Sequence, residues 1–517
     1  TLDGNLTITD GTLDTGADYS ITASSGQIFG SADGTLDMNS STITVTNGGD
    51  VQCLITGAAP TIESSSGAPN LVGFYGAVTF TGAATISCSK VGGAWTPGTS
   101  TVTFSDRSKK STFTGTLYNL IINGSGLEYT IDQDVTITND LTVTAGTFDT
   151  SDGAGTDYDL TVTGDTAING GTLTCNASAI SLGAGRTVGT DGLAVTSGTF
   201  TGGTGDHIIG SYYQAGGTAT FTSGDTTLNG KNSNSGSNFK LATGTFNHGS
   251  GTIINSYTAF DINITVSTTQ DIDFNNYELD ISPKTLTVYN LGSYQINIAG
   301  YLTIISGIFD TSYTGHDDTD LTVTGNTIVG DGSAAADTAT LTLNDSTCNF
   351  NTDATAEWAL HIKQGGTLAS HSGAVSIGSL TTDNHADCKV TMSSYRTYIQ
   401  GENDNEGFKI FSNTTFAHNS GRIYFQTVDF MRIYASSQTL YNVYIDNALA
   451  CNDILVRDNA TFISGDKAVT AGGNVTIGEG ASGKWDATGN GALSFGSLTI
   501  EAGGEYDATN VTTTLTD

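Results

Sequence analysis

Residues 141–164 read LTVTAGTFDTSDGAGTDYDLTVTG, and residues 302–325 read LTIISGIFDTSYTGHDDTDLTVTG. The two align without a gap, and a shortened third copy, LTITDGTLDTGADYSIT, starts at Leu6. Self-similarity of this kind marks a repeat architecture, in which each unit buries its apolar face only against its neighbours. Inside each copy the Leu-Thr-Val-Thr run alternates apolar and hydroxyl side chains, the pattern of a strand with one buried face. A glycine then precedes an apolar residue and an aspartate: Gly146, Phe148 and Asp149; Gly307, Phe309 and Asp310; Gly11, Leu13 and Asp14. Glycine supplies the positive φ of a sharp turn, and the aspartate side chain closes that turn on its own backbone.

A second unit lies outside these copies. STVTF from Ser100 leads to LYNLII from Leu117, SGTII from Ser250 to FDINI from Phe260, and SGRIYF from Ser420 to LYNVYI from Leu440. The preceding turn also recurs, as TFNHGSG from Thr245 and TFAHNSG from Thr415. This organisation predicts an N-terminal partial repeat over 1–99, super-repeats over 100–249 and 250–419, and an incomplete one over 420–517, joined as one continuous solenoid. Leu302, Leu321 and Leu341 are spaced by 19 and 20 residues. The predicted fold is therefore all-β, a parallel β-helix (β-solenoid) with coils of roughly 20 residues. Tandem β-sandwich domains are the rival, since they too show many short strands. Scarce proline, the lack of evident linkers and the 19-to-20-residue echo weigh against them.

Among 517 residues there are 67 Gly and 4 Pro, with 37% hydrophobic and only 13% charged, where about a quarter charged is usual. The solvated surface must then be built of Thr, Ser and Asn. Threonine suits it, being β-branched and stiff, so that it favours extended backbone without adding apolar surface. A net charge of −34 with 17 basic residues argues against nucleic acid or anionic lipid as partner, because neutralising phosphates needs clustered Lys and Arg. No apolar run approaches the roughly 20 residues of a transmembrane helix. Cys53, Cys88, Cys175, Cys348, Cys388 and Cys451 are widely separated with no CxxC; they read as small buried hydrophobes, or at most one incidental bridge. The start at Thr1, without Met or signal peptide, reads as a mature or excised piece. Repeat-like sequence at both ends implies open strand edges, met either by further residues or by end-to-end stacking of copies into a filament.

Two groups of residues are candidate sites. The acidic turns carry Asp149, Asp152, Asp157 and Asp159 in one copy and Asp310, Asp317, Asp318 and Asp320 in another. Clustered carboxylates are hard oxygen ligands suited to calcium, set against the simpler reading of solvated turn residues. GENDNEG at 401–407 half imitates a calcium loop, with Asn413 where the bidentate Glu should fall. A lone HxxC, His385 and Cys388, lacks the second pair a transition-metal site requires. The other group is compositional. Residues 386–467 hold seven of the 17 basic residues, Lys389, Arg396, Lys409, Arg422, Arg432, Arg457 and Lys467, amid tyrosines and phenylalanines that include Tyr395, Tyr398 and Tyr424. Outward aromatics beside arginine could stack on sugar rings or grip a partner; alternation would instead place them in the core.

The repeats LTVTxGTFDT and LYNLxI resemble those of large secreted bacterial surface proteins and of phage or marine-virus fibre proteins with β-helical shafts, over nearly the whole chain. The resemblance implies a parallel β-helical stalk that projects, spaces or adheres, on a cell surface or a virion, and it carries no catalytic residue across. The expected function is an extracellular structural and adhesive fibre, with other copies of itself and surface glycans as partners and calcium as the candidate cofactor. The alternative is a β-helix that binds or degrades polysaccharide. Aspartates are everywhere and none is singled out as an acid–base pair, so no enzyme is expected.

Overall fold

The computed structural model describes residues 4–16, 98–104, 109–110, 116–188, 190–266, 270–290, 294–312, 318–333, 338–351, 359–400, 407–411, 413–419, 421–425, 468–479, 483–487, 491–509 and 511–516, and the separate short strands between 21 and 96 and between 433 and 463. Among these residues there is no helix, and every strand ladder is parallel; one antiparallel bridge, Ser151 to Asp157, closes a turn. Among the described residues no helix is long and apolar enough to cross a membrane. The chain divides into two compact units, Thr1–Gly251 and Thr252–Asp517. Each is a parallel β-solenoid rather than a string of sandwiches.

Period-two alternation becomes columns once the strands stack in register. In the first unit Leu120, Leu141, Thr166, Leu193, Tyr212 and Phe239 lie one above another, as do Tyr129, Phe148, Leu173, Phe200, Ala219 and Phe246. A third column runs Val135, Leu160, Ile180, His207, Thr226. In the second unit the corresponding columns are Tyr277, Leu302, Thr327, Leu360, Leu380 and Phe408, and Leu286, Phe309, Leu341, Leu368, Val390 and Phe416. Nearly all of these side chains are buried, and each Leu, Ile or Phe so placed contributes about 1.5–3 kcal/mol. The residues between them face outward and are mostly Thr, Ser and Asn: Thr147, Thr172, Thr199, Thr218 and Thr245 form one such line.

Coil length is less regular than the 20-residue echo. Thr85 pairs with Thr101, sixteen residues on, Leu193 with Tyr212, nineteen on, and Thr327 with Leu360, thirty-three on. The strands keep register although coil lengths differ, and a longer connection between strands adds little free-energy cost.

The aligned copies fold alike, one in each unit. Leu141–Asp149 and Leu302–Asp310 are both nine-residue strands, each paired to the preceding coil across a register shift. Gly146 and Gly307 sit at φ 81° and 87°. A Cβ on either would collide with the preceding coil, at the Gly124 carbonyl in one case and the Ile281 side chain in the other. Glycine is thus required twice over, by φ and by space.

Candidate functional site

Asp149 and Asp310 open the acidic turns in the same way. Asp149 Oδ1 accepts from the Ser151 N–H and from Asn176 Nδ2, both at 2.7 Å. Asp310 Oδ1 accepts from the Ser312 N–H at 3.0 Å and from Asn344 Nδ2 at 2.6 Å. Asn176 and Asn344 take φ of 50° and 48°, a left-handed conformation that asparagine tolerates. Below them Thr150 and Ser178 share a hydroxyl hydrogen bond of 2.7 Å, matched by Ser346 to Thr311 at 2.8 Å. Each of these two aspartates therefore closes its own turn and clasps the next coil.

Other aspartates do only the second of these jobs. Asp159 accepts from the Ala179 N–H at 2.9 Å and Asp320 from the Thr347 N–H at 2.7 Å, each one coil on. The same clasp joins Asp134 to Asp159, Asp140 to Asp165, Asp206 to Asp225 and Asp271 to Gln295, at 2.9–3.0 Å. A carboxylate at a strand entry thus takes up a main-chain donor that the ladder has not reached. Sequence alone could not show this, because donor and acceptor lie about a coil apart. Asp152 caps its own loop through the Ala154 and Thr156 N–H groups at 2.7 and 3.0 Å, and Asp157 is exposed. Asp318 accepts from the Asp345 N–H at 3.2 Å. Desolvation, with the nearby Asp345 carboxylate also contributing, raises the Asp318 pKa against the opposing hydrogen bond from Ser312. Asp317 and residues 401–406 of GENDNEG lie outside the described residues. Among the described residues no three His, Cys, Asp or Glu side chains converge as metal ligands would.

His385 and Cys388 do not act together either. The Cys388 sulfur turns toward the Ile362 carbonyl at 3.7 Å, and desolvation, reinforced by Asp383, pushes its thiol up to about 11. His385 Nδ1 lies 3.3 Å from Asp387. Cys175, Cys348 and Cys388 are free and buried, as small hydrophobes are; the side chains of Cys53, Cys88 and Cys451 lie outside the described residues.

Part of the basic, tyrosine-rich stretch lies in one sheet of the second unit, while Lys389 and Lys409 belong to strands of another sheet and Arg432 and Lys467 lie outside the described residues. Ala374–Ile377, Arg396–Ile399, Arg422–Phe425 and Val443–Ile445 stack in register. Val375, Thr397 and Ile423 form the inward line, so the alternate positions Ser376, Tyr398 and Tyr424 belong to the opposite face, with Ala374 and Arg396 beside them. The Tyr398 and Tyr424 rings stack at 5.1 Å. The Arg396 guanidinium carbon lies 4.8 Å from the Tyr395 ring centre and 5.9 Å from that of Tyr424, and its Nη1 donates to the Tyr398 hydroxyl at 3.2 Å. Register sets Arg422 beside Arg396 and Tyr444 beside Tyr424. Tyr395 is 50% exposed. The aromatics of this stretch divide between the two readings: Phe408 is in the core, Tyr398 lies on the outward side of its strand, and Tyr395, just before that strand begins, is exposed.

In the first unit an open groove of about 610 Å³ lies over a corner lined by Leu127, Glu128, Gly146, Thr147, Gly171 and Thr172, and Glu128 is the one carboxylate lining it. No protein-family model, curated protein or solved structure matches the chain.

Proposed function

We propose that this chain is an extracellular structural and adhesive fibre protein, presented on a cell surface or a virion, whose solenoid is a scaffold for an outward binding face. The observation that carries the reading is the in-register stacking of outward Thr, Ser and Asn over an aliphatic column in each unit. Consecutive coils are joined by main-chain hydrogen bonds and by the aspartate clasps, and such stacks can be extended coil by coil without a new core. Low charge density with a net charge of −34 suits a surface that stays hydrated and keeps neighbouring fibres apart. Contact with other copies and with surface glycans follows from the same reading.

Negative-stain imaging of the purified chain, together with retention of cells on chain-coated surfaces, tests it. Slender particles, single or joined into threads, that retain cells support the proposal. Compact particles that retain none would defeat it. Depolymerisation of an offered glycan would favour a polysaccharide-degrading β-helix instead.

A further inference from the structure

We propose that the face around Arg396 binds an acidic saccharide, with a uronic-acid carboxylate meeting the guanidinium and the sugar ring lying against Tyr395. This rests on the adhesive reading above and names the ligand chemistry of its binding face.

In a chain of net charge −34, basic side chains have carboxylates to spare: Arg186 pairs with Asp165 and Lys484 with Glu505, both at 2.8 Å. Arg396 has none among the described residues. Its polar and electrostatic neighbours are phenols, those of Tyr398, Tyr395 and Tyr424. Its Nε is buried without a hydrogen-bond partner. A guanidinium has five N–H donors, so a single bond to Tyr398 leaves most of that capacity unused. The planar fork of arginine matches a carboxylate better than any other anion-binding side chain.

Positioning comes from the rings. Tyr395 and Tyr424 flank the guanidinium and the Tyr398 hydroxyl holds one end, so little side-chain freedom remains to be lost on binding. Half-exposed Tyr395 offers a flat apolar surface next to the charge. The overall negative charge disfavours a dense polyanion such as nucleic acid, which needs many cations at once; a sugar acid carries at most one charge per ring between hydroxyls and apolar ring faces.

The test uses the full chain and three probes in calorimetric titrations: an oligogalacturonate, its methyl ester and a sulfated neutral oligosaccharide. Binding of the oligogalacturonate, with the ester at least about tenfold weaker, is expected. Arg396→Gln should weaken oligogalacturonate binding about tenfold or more, and Tyr395→Ala should weaken it too. Lys240→Gln, which removes a cation 5.0 Å from the Tyr213 ring in the first unit, should leave it unchanged. Circular dichroism identical to the parent confirms that each variant folds. Equal affinity for acid and ester, preference for the sulfated probe, or an Arg396→Gln variant that binds as the parent does would each overturn the proposal. Cell retention that survives Arg396→Gln would overturn it too, leaving the fibre reading intact.

Discussion

Lowering the pH should destabilise the first unit through one buried histidine. His207 is 1% exposed, stacked between Ile180 and Thr226 in a column that also holds Val135 and Leu160, with the Phe200 ring at 5.8 Å. Neither ring nitrogen makes a hydrogen bond of good geometry. Burial lowers its pKa from 6.5 to about 4, opposed only in part by the Gly202 main chain and Asp206. The folded state therefore holds a neutral imidazole where the unfolded chain protonates near pH 6.5. Above that pH the two states bind the same number of protons and the residue is silent. As pH falls toward 4 the unfolded state alone gains a proton, so stability drops, levelling off once the folded state protonates as well. At about 1.4 kcal/mol per pKa unit, the full loss is roughly 3 kcal/mol. His207→Leu, which continues the aliphatic column, should remove this contribution. Urea unfolding of parent and variant at pH 7 and pH 4, with amide exchange at Ile208 and Ile209 as the local probe, measures it. The parent should lose about 3 kcal/mol more than the variant. Equal acid sensitivity, or a His207 that titrates near 6.5 in the folded protein, would refute the reasoning.

Further outcomes follow from the columns and clasps. Thr166 and Thr327 occupy equivalent core positions with hydroxyls buried and unpartnered; changing either to Val should raise stability by about 1–2 kcal/mol in denaturant titrations, since an unsatisfied buried hydroxyl is a net cost. Asp310→Ala removes the acceptor for the Ser312 N–H and Asn344, and should cost about 1–3 kcal/mol. Chelator should leave the melting temperature of the parent unchanged, because these carboxylates are already engaged by N–H donors. Gly146→Ala, strained in φ and in collision with Gly124, should cost more than about 1 kcal/mol and show it first as faster amide exchange over residues 119–149.

The architecture was legible because its two signals are local. Alternation in LTVT and LTII shows which side chains point inward, and the gapless match of 141–164 with 302–325 shows that one coil geometry recurs; the two copies proved alike down to the Asp149 and Asp310 clasps. What stayed hidden depends on register. His207 and Thr327 look like surface residues by type, and only the stacking of Ile180 over His207 and of Thr327 over Leu360 puts them in the core. The clustering of the acidic turns was visible in sequence, but not that several of their carboxylates reach along the stacking direction to the next coil. The bias toward Arg and Tyr after residue 386 was visible in composition, but the pairing of Arg396 with Tyr395, Tyr398 and Tyr424 needed both the strand phase and the neighbouring coil.

Everything here depends on parallel coils stacked in register, and spin-label distances along one outward line test that most directly. Thr147, Thr199 and Thr245 lie on the same face, with two coil steps from the first to the second and two more to the third. At about 4.8 Å per step, backbone separations of about 10 Å for the 147/199 pair and about 19 Å for the 147/245 pair are predicted. Separations that fail to double from the first pair to the second would contradict the stacked solenoid.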